Sequence, residues 1–490
     1  MTSLWLDTAP HIATDPFIAD QEFDEVVVGA GLTGLVTALM LAESGRRVAV
    51  LEGRFVGAGA TGNTTAKLSL LQGTHLSSIR RTMYQSVAQA YVDESRAAAE
   101  WLLRYLEDRD VPVDRRDAVT YAGTVDAVPA VDREFEVARS LGLGVRRAQD
   151  AGLPFATYGA VVLPDQAQFD PMLVLAALAA DVRRLGGVIH ERSRVTGVRA
   201  TDPVRVTTDQ GDLIAGRVVL ATGTPILDRG LYFAKLSAKR SYALAFDLDP
   251  DLQPSGMYLS AESPTRSIRS HGSRLLTGGN GHGVGRAASP QGAVDELVDW
   301  TLTHWPDARL SHTWSAQDYA APHHVPFVGA LPRGRGRVYF ASGFEKWGMT
   351  NAVAAAMTLH ADLVGGSTPA MKVLRRRVTT PLAIATGIGE NAAVGAWYAK
   401  SWWRALTTPQ PTEALADGEG VMTHRGLSPV GVSNIDGRPC TVSGVCTHLG
   451  AALTWNDLEK SWDCPAHGSR FSSRGAVLEG PARRSLTRVD

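Results

Sequence analysis

EVVVGAGLTGLVTALMLAESGRRVAVLE, residues 25–52, reads as four pieces in a fixed order. EVVV (25–28) is a short apolar run of the kind that forms a strand buried on both faces. Gly29, Gly31 and Gly34 follow in GxGxxG spacing, residues 35–44 have helical character, and Gly45 stops the helix. RVAVLE (47–52) is a second strand that ends on Glu52. In such a βαβ unit each glycine has a task. Gly29 permits the tight turn, Gly31 lets backbone approach a pyrophosphate, and Gly34 lets helix and strand pack closely. The free N–H groups of the helix N-terminus favour phosphate charge, and Glu52 can accept hydrogen bonds from an adenosine ribose. The stretch predicts a dinucleotide-binding α/β domain.

The fingerprint alone does not separate FAD from NAD; two further segments point to FAD. GAGATGNTTAKLS (57–69) supplies a second small-residue loop after the ribose acid, able to wrap more phosphate and reach a flavin. VVLATGTP (218–225), with Gly223, has the strand-then-Ala-Thr-Gly form of a late element in flavoproteins with two dinucleotide folds. GGNGHGVG (278–285) fails the spacing and reads as a turn, so no separate NAD(P)H site is expected.

Further out, helical periodicity covers 78–108 and 171–187, and short strands fill 187–223. Residues 231–315 mix alternating strands with turns, as a substrate-binding sheet would. A strand at 337–343 and a helix at 349–366 follow. Residues 374–390 read as irregular and 391–406 as a helix whose aromatics pack on the main body. TTPQPTEALADGEG (407–420) reads as a linker, and the last seventy residues as short strands and turns. The expected division is 1–372 for the flavin oxidoreductase, 373–418 for a connecting helix and linker, and 419–490 for a small all-β domain. Within the first, the FAD-binding part is about 20–75, 155–228 and 316–372, and a mixed-sheet substrate part is about 76–154 and 229–315. A flavin part ending near Thr408 is expected to fold and hold FAD by itself.

The 490 residues carry 44% hydrophobic and 20% charged side chains with a net charge of −1, which gives no pull toward nucleic acid or anionic lipid. Apolar runs are too short to span a bilayer, and the N-terminus lacks a secretory pattern. The three cysteines, Cys440, Cys446 and Cys464, crowd into the C-terminal part, which suggests a local metal site rather than a disulfide framework and fits a cytoplasmic protein.

Cys446-x-His448 and Cys464-x-x-His467 each offer one thiolate and one imidazole. That pairing matches a Rieske 2Fe–2S cluster, in which two Cys hold one iron and two His the other. A Cys2His2 zinc site uses the same ligand types, usually as a Cys pair and a His pair. Gly450 and Gly468 let the loops turn tightly, Ser469 can donate to cluster sulfur, and Pro481 closes a third loop over the site. Cys440 lies outside both motifs and reads as a buried thiol.

With these pieces in place the chain resembles bacterial flavoproteins of the D-amino acid oxidase-like (glycine/sarcosine oxidase-related) superfamily that carry a C-terminal Rieske domain. The resemblance rests on VVVGAGLTGL (26–35), ATGNTTAKLS (60–69), VVLATGTP (218–225), WSAQDY (314–319), VPFVG (325–329), SGFEKWGMTN (342–351), CTHLG (446–450) and WDCPAHGSRF (462–471). It implies FAD and one 2Fe–2S cluster as cofactors. Gly29, Gly31, Gly34 and Glu52 would bind the adenosine diphosphate part. Thr61, Gly62, Thr64 and Thr65 would line the pyrophosphate and flavin approach, and Lys67 would place a cation near the isoalloxazine. Gly343, Trp347, Gly348, Met349 and Thr350 would set backbone and a helix N-terminus near the flavin pyrimidine oxygen. Where the family pattern has an acid after QDY, this chain has AAPHHV (320–325), leaving His323 and His324 as candidates beside Lys67 for a catalytic role. The loop-disulfide positions of many Rieske domains are Ala451 and Ala466, and the position of a potential-raising tyrosine is Phe471. These changes place the cluster in the lower half of the roughly −150 to +300 mV Rieske range.

Three functions follow as expectations. The first is oxidation of a C–N bond of an amine or amino acid, with electrons passed singly through the cluster to a carrier such as a ferredoxin. The second runs the other way, a ferredoxin feeding a flavin/Rieske monooxygenase or reductase in biosynthesis. The third is a non-catalytic redox sensor or electron carrier.

Overall fold

The structure, a computed structural model, describes residues 1–489. The opening stretch forms the centre of an eight-stranded sheet. Its main path runs Phe327–Ala330, Val338–Ser342, Asp212–Leu220, Glu22–Val28, Val48–Leu51, Val188–His190. All neighbours on that path are parallel except the first pair, and Val26 is in register with Ala49 on one side and Val218 on the other. The side chains of Val27, Val48 and Val50 enter a core with the helices Leu32–Glu43, Pro171–Arg184 and Gly348–Val364. Val26, Val28, Ala49 and Leu51 enter the opposite core, under the hairpin of Val195–Arg199 and Val204–Thr208. Both faces are buried, which is why these strands are apolar without alternation.

A nine-stranded mixed sheet carries the second layer, from Arg309–Ala320 through Ser237–Asp247 and Arg274–Gly283 to Ala160–Phe169 and Lys67–Leu68. The expected turn at 278–285 is mostly strand: Arg274–Gly283 pairs on both sides. Its glycines mark a close approach, since Gly278, Gly279 and Gly281 face the large cavity described below. The helical region 78–108 is two helices, His75–Thr82 and Gln85–Glu107, broken at Met83 and Tyr84.

The region expected to be irregular is helical. Pro369–Arg376 is followed by Pro381–Thr407, twenty-seven residues long, opened by Pro381 and capped by Thr380, whose Oγ1 accepts from the Ala383 N–H. Gly387, Gly389 and Gly395 hide this helix from a propensity reading. Its aromatics do not pack on the main body as expected: Tyr398 Oη and Trp402 Nε1 donate to the Gly450 carbonyl (2.9 and 3.0 Å) in the first metal loop, and Trp403 is exposed. The C-terminal part is a three-stranded antiparallel sheet over Gly420–Ser443 and a four-stranded one over Thr454–Glu479.

That part is welded to the rest. Arg240 of the substrate sheet donates to both oxygens of Glu459 at 2.5 Å, Gln317 Nε2 to the Gly468 carbonyl at 2.8 Å, and Arg286 Nε to the Pro465 carbonyl at 2.8 Å. These contacts hold the C-terminal part against the substrate sheet. Among the described residues no helix is long and apolar enough to cross a membrane.

Candidate functional site

One cavity of about 640 Å³ runs from the glycine turn to the C-terminal part. At one end it is lined by Gly29, Gly31, Glu52, Thr61 and Arg194, and further in by Thr64, Thr65, Lys67, Gly223, Trp347, Gly348 and Met349. The helix Leu32–Glu43 opens at Gly31 with no side-chain cap, and Gly348–Val364 opens at Trp347 in the same way. Two uncapped helix N-termini therefore meet one elongated space, the electrostatics a pyrophosphate and a flavin carbonyl oxygen call for. The Glu52 carboxylate is held in place by N–H donors from Ala30 (3.0 Å) and Arg54 (2.9 Å). Its further lone pairs remain for a ribose. The chain fits an adenine dinucleotide that extends into a flavin.

Four expected residues stand behind this lining. Gly34 packs the helix on the turn, Gly62 lies under Gly57 and Leu6, and Gly343 turns the chain at φ +85°. Thr350 is buried, with its Oγ1 donating to the Trp347 carbonyl and accepting from Gln72 Nε2. They shape the cavity rather than line it. Lys67 lines it, but Nζ donates to the Tyr258 carbonyl (2.6 Å) and Ser267 Oγ (2.8 Å). Burial, then Arg269, pushes its pKa well below the ordinary lysine value. The two histidine candidates part company. His324 faces the cavity; His323 lines a separate one with Phe327 and Arg377, where burial and then Arg377 hold its pKa near 3.

Four polar residues of the cavity had no role assigned from sequence: His75, Asp318, Glu345 and Lys346. Asp318 accepts from the N–H groups of Tyr319 and Lys346, and burial raises its pKa to about 6. Glu345 accepts from His324 Nδ1 at 3.0 Å on each oxygen. Glu345, from SGFEKWGMTN, thus sets an acid beside His324 of AAPHHV. That segment and WSAQDY were visible as motifs; nothing local to either says that a strand end and a loop converge.

The metal loops stand behind this lining, where Gln317 of the cavity wall donates to the Gly468 carbonyl. Cys446 and Cys464 are buried free thiols. The Cys464 thiol beside Cys446, with N–H groups of His448 and Leu449, draws Cys446 down to about 7. His448 Nδ1 and His467 Nδ1 are both buried and lack any hydrogen-bond partner. Two buried thiols and two orphaned imidazole nitrogens on adjoining loops are the donor set of a 2Fe–2S cluster with two histidine ligands. Burial lowers the His467 pKa to about 4, which keeps its ring neutral for ligation. Ser469 is fully buried and its Oγ accepts from the Ala482 N–H in the third loop, with Pro481 buried beside it. Cys440 is half-buried on the strand Arg438–Ser443, apart from the ligand loops. Phe471 is fully enclosed in the core of this part with Trp462.

The two imidazoles flank Phe233 of the substrate part, with ring centroids 5.3 and 5.1 Å away, and His448 Nε2 meets Asp228 Oδ1 at 2.9 Å. Leu478, Glu479 and Gly480 from the C-terminal sheet complete the wall of the large cavity.

Comparison with known proteins agrees with this geometry. Residues 24–361 match the DAO family, FAD dependent oxidoreductase, and residues 408–490 match the Rieske [2Fe-2S] domain. The chain is 30% identical over 485 residues, 96% of its length and 94% of the relative's, to the Rieske 2Fe-2S iron-sulfur protein YhfW of Bacillus subtilis (strain 168). Its fold is similar to that of glycine oxidase from Geobacillus kaustophilus (TM-score 0.60, 19% identity, 71% of this chain and 96% of that one). It is equally similar to that of L-proline dehydrogenase from P. horikoshii (TM-score 0.60, 18% identity, 72% and 96%). The chain belongs to the DAO family of FAD dependent oxidoreductases, fused to a Rieske [2Fe-2S] domain, and its cofactors are FAD and a 2Fe–2S cluster.

Proposed function

We propose that this enzyme oxidises a C–N bond of an amine or amino acid and passes the electrons singly, through its own Rieske domain, to a cytoplasmic one-electron carrier such as a ferredoxin. The observation that carries the reading is the shared cavity: residues of the glycine turn and Leu478–Gly480 of the Rieske domain line one continuous space. The structural neighbours named for glycine and L-proline oxidation support the C–N bond as target. Bound there, FAD supplies two-electron oxidation and the cluster one-electron transfer. The chain's own residues do the rest. The buried wall around Tyr242, Tyr319 and Trp347 excludes water and orients the substrate. Asp318 is the cavity group able to take the substrate ammonium's proton, leaving the neutral amine that oxidation requires.

Anaerobic mixing with a panel of amino acids and amines tests this. The expected result is bleaching of the flavin band, followed by the rhombic EPR signal of the reduced cluster. Bleaching only when a reduced ferredoxin is supplied would overturn the proposed direction of electron flow.

Asp228 tunes the second step. His448 would hold iron through its unpartnered Nδ1, and its Nε2–H, donating to the Asp228 carboxylate, would make the ring a stronger donor and favour the oxidised cluster. Asp228→Asn exchanges a charge-assisted bond for a neutral one, a difference of about 1.4 kcal/mol, or roughly 60 mV for one electron. The potential, read by EPR-monitored redox titration, should therefore rise by that amount. An unchanged or lower potential counts against the contact.

A further inference from the structure

We infer that the flavin cavity carries a second metal site, for a divalent transition-metal ion held by His75, His324 and Glu345. One ligating atom from each of the three lies within 4.8 Å of the others. His324 Nδ1 is 3.0 Å from both Glu345 oxygens, and His75 Nδ1 is 4.0 Å from Glu345 Oε2. For metal–ligand bonds of about 2.1 Å, neighbouring ligand atoms in tetrahedral or octahedral geometry stand roughly 3.0–3.4 Å apart. The triad needs side-chain movement of less than about 1 Å to close on an ion, so the donors are already gathered.

Three observations favour an ion over a plain histidine–carboxylate pair. The first is His75, buried at 7% exposure, whose Nε2 has no hydrogen-bond partner. Two imidazoles share one carboxylate and stand edge to face with their rings 5.9 Å apart. A second histidine adds nothing to an ion pair that His324 already makes, and enclosing its Nε2 unpartnered is costly. The second is position. His75 is the first residue of the helix His75–Thr82, whose Leu76 and Ser77 N–H groups donate to the buried Glu134 carboxylate (3.1 and 2.8 Å). That fixes the end of the helix, and with it the ring. The third is backbone cost. His324, Glu345 and Lys346 all take left-handed conformations, with φ of +60°, +48° and +70°. Non-glycine residues held there cluster where function demands it.

The protonation states suit ligation: burial lowers the His75 pKa to about 4, and His324 with His75 keeps Glu345 below the usual carboxylate range despite its burial. Two neutral imidazoles and one carboxylate select a borderline ion such as Zn²⁺, Fe²⁺ or Co²⁺ over Mg²⁺ or Ca²⁺. All three residues line the cavity, so the remaining coordination positions open into it and can take water or an oxygen or nitrogen of a bound substrate. The site goes beyond the proposed oxidation and stands whichever bond the flavin attacks.

The test uses the full chain with FAD and both irons in place and the cluster oxidised, hence EPR-silent. Zn²⁺ titrated by calorimetry should bind one ion per chain beyond the iron content. Cu²⁺ in its place should show superhyperfine coupling to two imidazole nitrogens. His75→Ala should remove one nitrogen coupling and weaken Zn²⁺ at least tenfold, and Glu345→Gln should weaken Zn²⁺ as much while keeping both nitrogen couplings. His324→Gln is the second variant should His75→Ala not fold. Absence of stoichiometric Zn²⁺ binding, or binding whose affinity and nitrogen count are the same in the variants, would overturn the inference.

Discussion

Gly34→Ala should yield protein that has lost most of its FAD, whereas Gly45→Ala keeps it. A Cβ on Gly34 would sit 1.9 Å from the Gly29 carbonyl oxygen and 3.0 Å from its carbon. Both are backbone atoms of the turn itself, so relief requires the helix Leu32–Glu43 to move off the strand Glu22–Val28. The turn has no room to yield in return. Gly29 holds φ +108°, and a Cβ there would lie 2.5 Å from the Ala221 carbonyl oxygen on the neighbouring strand. Overpacking of this kind costs about 1–3 kcal/mol, and every 1.4 kcal/mol taken from cofactor binding is a tenfold loss of affinity. The shift also displaces the helix N-terminus from the phosphate position, so FAD affinity falls by at least about tenfold and the cofactor is lost on gel filtration. Gly45 is the control: its φ is +76° but nothing lies within 4 Å of an added Cβ. Alanine there carries about 1 kcal/mol of backbone strain and leaves the cradle intact. The absorbance ratio of flavin to protein after gel filtration reads both variants. Full FAD retention in Gly34→Ala would show that helix and turn can separate without cost to the site.

How much of this could be read from the chain alone depends on whether the chemistry is local in sequence. The glycine turn and the two Cys/His loops were legible because their residues sit a few positions apart and because GxGxxG and Cys-x-His have few uses. His75, Asp318, Glu345 and Lys346 were not. They come from a helix start, a strand end and a loop, and they meet only when Arg309–Ala320 lies beside Ser237–Asp247 and the loop before Gly348 folds back. The long helix Pro381–Thr407 was half legible. Its C-terminal half shows through its aromatics, while its first half, rich in glycine and alanine, is stabilised by contacts such as Asn391 Nδ2 with the Ala234 carbonyl (2.8 Å). Lys67 shows its limits too: the burial and the Arg269 guanidinium that lower its pKa are tertiary facts.

The same distinction hides how the Rieske domain docks. Its linker is exposed-type sequence, and nothing near Glu459 marks it as the partner of Arg240, two hundred residues earlier. Yet Arg240 is only 3% exposed and Glu459 answers it with both oxygens, while Arg470 of the same domain pairs with Glu459 (3.1 Å) and Asp463 (3.0 Å). A charge cluster of this kind fixes the orientation of the Rieske domain on the substrate sheet.

Glu459→Ala should therefore destabilise the whole protein by about 3–5 kcal/mol, the cost of leaving a buried guanidinium without its partner. Arg240 would keep only Glu479, 3.7 Å away. The charge itself can be titrated in the unmutated protein. Burial pushes the Glu459 carboxyl up, but Arg240 and Arg470 outweigh it and hold the pKa at about 2, against an ordinary 4.5. Its folded pKa is depressed, so the stabilisation is complete above pH 4.5 and is lost as the pH falls from there toward 2. The difference corresponds to about 3 kcal/mol. Urea midpoints followed by flavin fluorescence should fall through that acid window in the wild type. In Glu459→Ala the midpoint should be low already at pH 7, and this component of the acid dependence should vanish. Proteolysis within 409–417 should also become faster in the variant, because the two parts are then held by the long helix and the weaker contacts alone. A loss below about 1 kcal/mol at pH 7, the range of an exposed ion pair, would mean that the Arg240–Glu459 contact is solvated and that the Rieske domain is docked by other means.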